Sequence, residues 1–216
     1  MTTYTGAVFN NGAVARLVDV AVAAAGRTPF ADELARFNRT LADSPTANWA
    51  MPSATLSALL DLIAQELEAR PETPLPQGFA ERLAAAAGSR GGPRFLKDTA
   101  RALREGQRRG IPRFDELPMS PWEAELRFSG LRDFSWWVES DEYDSFEEGV
   151  VAGVTSEHPD GCAFLLPRLA QELHTALLIG ADTESGMSLR AVVPWATPPV
   201  LSEILRVASA HLLEAH

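Results

Sequence analysis

The chain is poor in the residues that most often carry chemistry. Its 216 residues include one cysteine, one lysine and four histidines, and no apolar run is long enough to cross a bilayer. A single thiol, Cys162, can close no intrachain disulfide and build no cysteine-rich zinc site, which fits a reducing compartment. The opening residues carry no positive lead, and Arg16 and Asp19 interrupt the first apolar segment, so a secretory signal is not expected. With 46% hydrophobic and 22% charged residues the composition is that of an ordinary globular protein. The expectation is a soluble, cytoplasmic chain that does not enter a membrane. Lys97 stands against 18 arginines, and this bias, with the many alanines, reads as a GC-rich bacterial coding background. An arginine here need not have been selected for its fork geometry.

Signature motifs are missing as well. There is no G-x-S-x-G, no Walker loop, no G-x-G-x-x-G and no H-E-x-x-H, so the reading leans away from an enzyme. The histidines, His158, His174, His211 and His216, all fall late. Cys162 and His174 offer a nucleophile and a base for a cysteine-dependent hydrolase or transferase, but the apolar company of Cys162 favours a small buried hydrophobe. A zinc ion on His158, Cys162 and His174 matches none of the common spacings. The acidic run from Glu139 to Asp144 lacks the ligand alternation and central glycine of a calcium loop. No metal and no cofactor are expected.

What is present is charge, unevenly placed, and aromatic mass. The net charge of −10 opposes general binding to nucleic acid or anionic lipid. From Arg90 to Arg113 eight basic residues stand against two acidic ones, and from Phe114 to Asp160 two stand against thirteen. At about 100° per residue, Arg94, Lys97, Arg101, Arg104 and Arg108 form a stripe on one helix face, opposite Phe95, Leu96, Thr99, Ala100 and Leu103. That ridge is the candidate polyanion contact, with Asp98 and Glu105 beside it to offset some of its charge. The stretch from Ser120 to Gly149 holds Trp122, Trp136 and Trp137 of the five tryptophans, with Phe128, Phe134, Tyr143 and Phe146. Trp136, Trp137, Glu139, Asp141, Glu142, Tyr143 and Asp144 are the candidate partner-binding residues, because aromatics supply contact area and carboxylates steer a basic partner.

Hydrophobic periodicity predicts helices from about Asn11 to Ala25, from Pro29 to Ser44, from after Pro52 to near Arg70 with Leu56, Leu59, Leu60, Ile63 and Leu67 on its face, from Phe79 to Ala87 and from Gly92 to Gly110. The β-prone run from Thr2 to Phe9, with Asn11-Gly12 after it, is compatible with a hairpin, but helical spacing from Val14 onward is preferred. Beyond a proline-rich connector, aromatic and β-branched content predicts short strands at Glu123–Phe128, Phe134–Val138 and Leu189–Val193. Two further helices are expected, one starting at Pro167 and one capped by Thr197. The segment 145–157 is left open between helix and strand, since Ser145 and Glu148 form a capping box while Gly149 and Gly153 oppose a helix. The predicted fold class is α+β, with a helical region 1–110, a connector 111–121 and an α/β region 122–216 in which a small mixed sheet carries the two helices.

The leading functional expectation is a non-catalytic cytoplasmic interaction protein of the adaptor, regulator or toxin-neutralising type, offering its acidic aromatic stretch to a basic protein. A nucleic-acid contact through the Arg94 to Arg108 ridge is the second reading and the Cys162–His174 enzyme the third. A further reading has the acidic stretch docking on the ridge within the chain.

Overall fold

A computed structural model describes residues 7–43 and 51–214, and among them are eleven α-helices and no strand. The chain separates into two compact units, Met1–Arg113 and Phe114–His216. No helix among the described residues is long and apolar enough to cross a membrane.

In the first unit a π-helical turn, Ala7–Asn11, leads into α1 (Ala13–Ala24). α2 (Phe30–Asp43), α3 (Ser53–Ala69), α4 (Gln77–Ala87) and α5 (Gly92–Arg109) follow. The run from Thr2 to Gly6 and the stop at Ser44 and Pro45 lie outside the described residues. α5 is the centre of the unit and packs on α2, α3 and α4. Its inward face is Phe95, Leu96, Thr99, Ala100 and Leu103, all buried, which is the face that helical spacing dictates. Polar side chains lock the packing: Asn38 donates to the Leu103 carbonyl at 3.5 Å and accepts from the Ser53 hydroxyl at 2.9 Å.

The second unit holds α6 (Pro121–Arg127), α7 (Ser129–Glu139), α8 (Phe146–Thr155), α9 (Cys162–Ile179), α10 (Glu184–Val192) and α11 (Pro198–Glu214). α9 runs through the middle, against α7, α8, α10 and α11. The expected mixed sheet is absent here, and the α+β assignment is corrected to all-α. Glu123–Phe128 falls on α6 and its C-cap, Phe134–Val138 on α7, and Leu189–Val193 on α10 and its C-cap. The buried residues explain the correction: Ala124 and Phe128, then Leu131 and Phe134, repeat at spacings of three and four, so the aromatics line a helical face and do not alternate across a sheet. Helix-start chemistry agrees. Ser120 accepts from the Glu123 N–H with Pro121 at the first helical position, and Thr183 accepts from the Gly186 N–H at 2.9 Å. The segment 145–157 is helical as far as Thr155. Pro167 lies inside α9 and does not start it, because the apolar run from Cys162 already belongs to the same helix.

Two close approaches hold α7 in place. A Cβ on Gly149 of α8 would lie 2.3 Å from the Trp137 carbonyl oxygen, and one on Gly153 would lie 2.7 Å from both Phe134 Cζ and Trp137 Cγ. The glycines that argue against a helix by propensity are the residues that let α8 lie against α7. At the other end of α7 the buried Glu172 of α9 accepts from the Gly130 N–H at 3.1 Å and the Leu131 N–H at 2.9 Å. Those are first-turn donors with no partner inside their own helix, so a side chain from another helix caps α7. A Cβ on Gly130 would meet Glu172 Oε1 at 2.9 Å, so this contact too depends on a glycine.

Candidate functional site

Adjacent positions on a helix point about 100° apart, and the two tryptophans of α7 divide accordingly. Trp137 turns towards the gap that Gly153 leaves and packs against the core, while Trp136 keeps 50% of its surface exposed. Their rings meet edge to face at 4.5 Å. Tyr143, from the loop between α7 and α8, closes the group at 6.1 Å from Trp136 and 5.9 Å from Trp137. Short-range hydrogen bonds shape that loop. Ser140 Oγ accepts from the Glu142 N–H at 3.2 Å, Ser145 Oγ accepts from the Glu148 N–H at 3.2 Å, and Glu148 accepts from the Asp144 N–H at 3.1 Å.

Around the rings stand Glu139, Asp141, Glu142, Asp144, Glu147 and Glu148, all exposed, and the sequence has no lysine or arginine from Asp133 to Pro167. Among the described residues Glu139, Asp141, Glu142 and Asp144 have no ion pair with a basic side chain. Desolvation, then the Glu142 and Glu148 carboxylates, hold the Tyr143 phenol above its ordinary value. The structure therefore gathers Trp136, Trp137 and Tyr143 into one aromatic corner whose surroundings are negative. It offers π-faces beside an excess of carboxylates, a combination that suits a guanidinium or ammonium group. The remaining tryptophan of the stretch, Trp122, is on α6, and Trp195 donates from Nε1 to Ser135 Oγ at 2.8 Å, a structural bond that ties the α10–α11 connection to α7.

The cationic ridge is organised differently. Lys97 pairs with Glu68 at 2.6 Å and Arg104 with Asp61 at 2.7 Å, both carboxylates standing on α3. Arg101 pairs with Asp98 of its own helix, which lies 3.9 Å from Arg94. Much of the basic charge is thus met by neighbouring carboxylates, and Arg108 joins Arg104, Asp61 and Gln107 only around a shallow open groove. These pairs are partly exposed, so Asp61→Asn is expected to cost less than about 1 kcal/mol in a denaturant titration.

Cys162 and His174 do not form a pair. Both stand on α9, where twelve residues of rise separate them by about 18 Å, and His174 faces solvent. Cys162 is instead buried beside two other histidines. His158, in the turn before α9, brings Nδ1 to 3.6 Å from Cys162 Sγ, and His211 of α11 stacks edge to face on His158 at 5.1 Å between ring centroids. His158 and Cys162 are four residues apart, a relation visible in the sequence. His211 continues the buried stripe of Ile204 and Ala208, so its inward direction was also legible, but its meeting with Cys162 depends on how α11 packs on α9. His216 lies outside the described residues.

No protein-family model, no curated protein and no solved structure matches this chain, so the geometry alone carries the functional reading.

Proposed function

We propose that this is a non-catalytic cytoplasmic interaction protein, of the regulatory, adaptor or toxin-neutralising kind, whose α7–α8 corner binds a positively charged segment of another protein. The observation that supports it is the half-exposed Trp136 in contact with Trp137 and Tyr143, in a stretch where Glu139, Asp141, Glu142 and Asp144 have no ion pair among the described residues. An arginine or lysine side chain laid on such a ring gains cation–π attraction, and partial desolvation by the neighbouring aromatics strengthens it. The carboxylates act at longer range. They raise the encounter rate with a basic partner and weaken in salt, because exposed charges are screened beyond about 8 Å at physiological ionic strength. The lone cysteine agrees with a cytoplasmic placement, and the self-paired ridge makes the nucleic-acid reading the weaker one.

The test is affinity capture from extract of the source cell, followed by titration of the recovered partner. Trp136→Ala is expected to raise Kd tenfold or more, the loss usual for a central aromatic anchor, while leaving the unfolding midpoint within experimental error. Neutralising Glu139, Asp141, Glu142 and Asp144 together is expected to slow association and flatten its salt dependence. Binding indifferent to salt and to Trp136→Ala, or capture of no basic protein at all, removes the reading.

A further inference from the structure

We propose that His158, Cys162 and His211 form a binding site for a thiophilic divalent metal ion, zinc by its ligand chemistry. Three separate segments supply the groups: the turn after α8, the first residue of α9, and the last part of α11. One ligand atom from each lies within 4.8 Å of the others. A tetrahedral zinc with Zn–S of about 2.3 Å and Zn–N of about 2.0–2.1 Å sets its sulfur and nitrogen ligands about 3.6 Å apart. Cys162 Sγ and His158 Nδ1 are separated by 3.6 Å, so two of the three ligands already stand at coordinating distance. The ligand nitrogen of His211 lies within 4.8 Å of both, at most about 1 Å beyond the ligand spacing of such a site.

The ligand types narrow the ion. One thiolate and two imidazoles suit zinc and its neighbours in the late first row, and they are a poor set for calcium or magnesium, which take oxygen. Burial divides the site usefully. Cys162 is fully buried, which shields the thiolate–metal bond, while His158 is exposed and gives the ion a path in and a fourth position for water. The turn that presents His158 is closed by a hydrogen bond from the Gly161 N–H to the Glu157 carbonyl at 2.7 Å, so the imidazole is held over the helix start.

The same spacing also fits a hydrogen-bonded thiol, with His158 Nδ1 and the Pro159 carbonyl, each 3.6 Å from the sulfur, as its acceptors. Cobalt titration separates the two. The chelator-treated full chain is expected to develop a thiolate-to-cobalt charge-transfer absorption that saturates at one Co2+ per chain and is displaced by Zn2+. Cys162→Ser should abolish that absorption. His158→Ala, at an exposed position that leaves the core untouched, should weaken Co2+ and Zn2+ binding tenfold or more and remove the rise in unfolding midpoint that zinc gives the parent chain. Absence of the charge-transfer band in the parent chain, or equal metal affinity in the parent and His158→Ala, overturns the site and leaves a hydrogen-bonded cysteine. Because Cys162→Ser alters the core, the exposed His158 variant carries the decision if that protein fails to fold.

Discussion

Gly149→Ala is expected to destabilise the second unit by about 2–4 kcal/mol, although alanine is the better helix former by roughly 1 kcal/mol. The added methyl has nowhere to go. It would lie 2.3 Å from a backbone oxygen, that of Trp137, and backbone yields only if α8 moves away from α7. Gly153→Ala meets the rings of Phe134 and Trp137 at 2.7 Å and should cost a similar amount. Gly78 in α4 supplies the control, because a Cβ there meets nothing within 4 Å. Gly78→Ala should be neutral or stabilising by up to about 1 kcal/mol. Denaturant titration followed by helical circular dichroism reads both units, and tryptophan fluorescence weights the second, which holds Trp122, Trp136, Trp137 and Trp195 against Trp49 in the first. Equal stabilities for the Gly149 and Gly78 variants would sink the close-packing account. A functional consequence goes with it: a Cβ on Gly149 also reaches Tyr143 Cδ2 at 3.3 Å, so separating the helices should open the aromatic corner and weaken partner binding.

The two halves of the chain differ in how much their residues disclose. In α5 the apolar and basic faces are cleanly opposed, so both the helix and the ridge follow from a period of 3.6. In the second unit the same period is present at Ala124, Phe128, Leu131 and Phe134, but phenylalanine and tryptophan also have high β-propensity, so the period is masked in the sequence alone. The decisive local signal was Ser120-Pro121 with Glu123 two places on, a helix start of the kind that needs no tertiary knowledge. Gly149 and Gly153 keep 145–157 open between helix and strand for the opposite reason. Their cost in helix propensity is local, whereas the gain from close approach to α7 lies in a contact that no window of sequence contains.

The site shows the same division. Density of tryptophan and carboxylate marks the stretch, and the structure brings Trp136, Trp137 and Tyr143 together within it, but only the position of α8 decides which tryptophan stays outside. The ridge was legible as a stripe and illegible as a network, because Asp61 and Glu68 come from α3. Glu172 is the case in between. It interrupts the buried stripe of Leu169, Leu173 and Ala176, and a carboxylate on such a face must find donors, though nothing in the sequence names Gly130 and Leu131 as those donors.

Removing that cap should be the most damaging polar substitution in the second unit. Glu172→Ala leaves the Gly130 and Leu131 N–H groups of α7 without their acceptor, and charge-assisted bonds of this kind place the loss at about 3 kcal/mol. The pH dependence has a definite sign. Desolvation raises the Glu172 carboxyl from 4.5 to about 7, against the opposing pull of the two N–H bonds and Arg168, with Asp133 adding to the rise. Between those two values the folded state holds more protons than the unfolded state, so this group's contribution to stability falls as pH rises from about 4.5 to about 7 and is constant outside that window. The full span corresponds to about 3 kcal/mol at most. Glutamine cannot titrate. Glu172→Gln should therefore remove the part of the stability slope that lies between pH 5 and 7, so that any deficit against the parent is largest at pH 5 and shrinks as the pH rises to 8. Parallel slopes for parent and Glu172→Gln across that range would show that the carboxyl is ionised throughout and that the two helix-start N–H groups outweigh its burial.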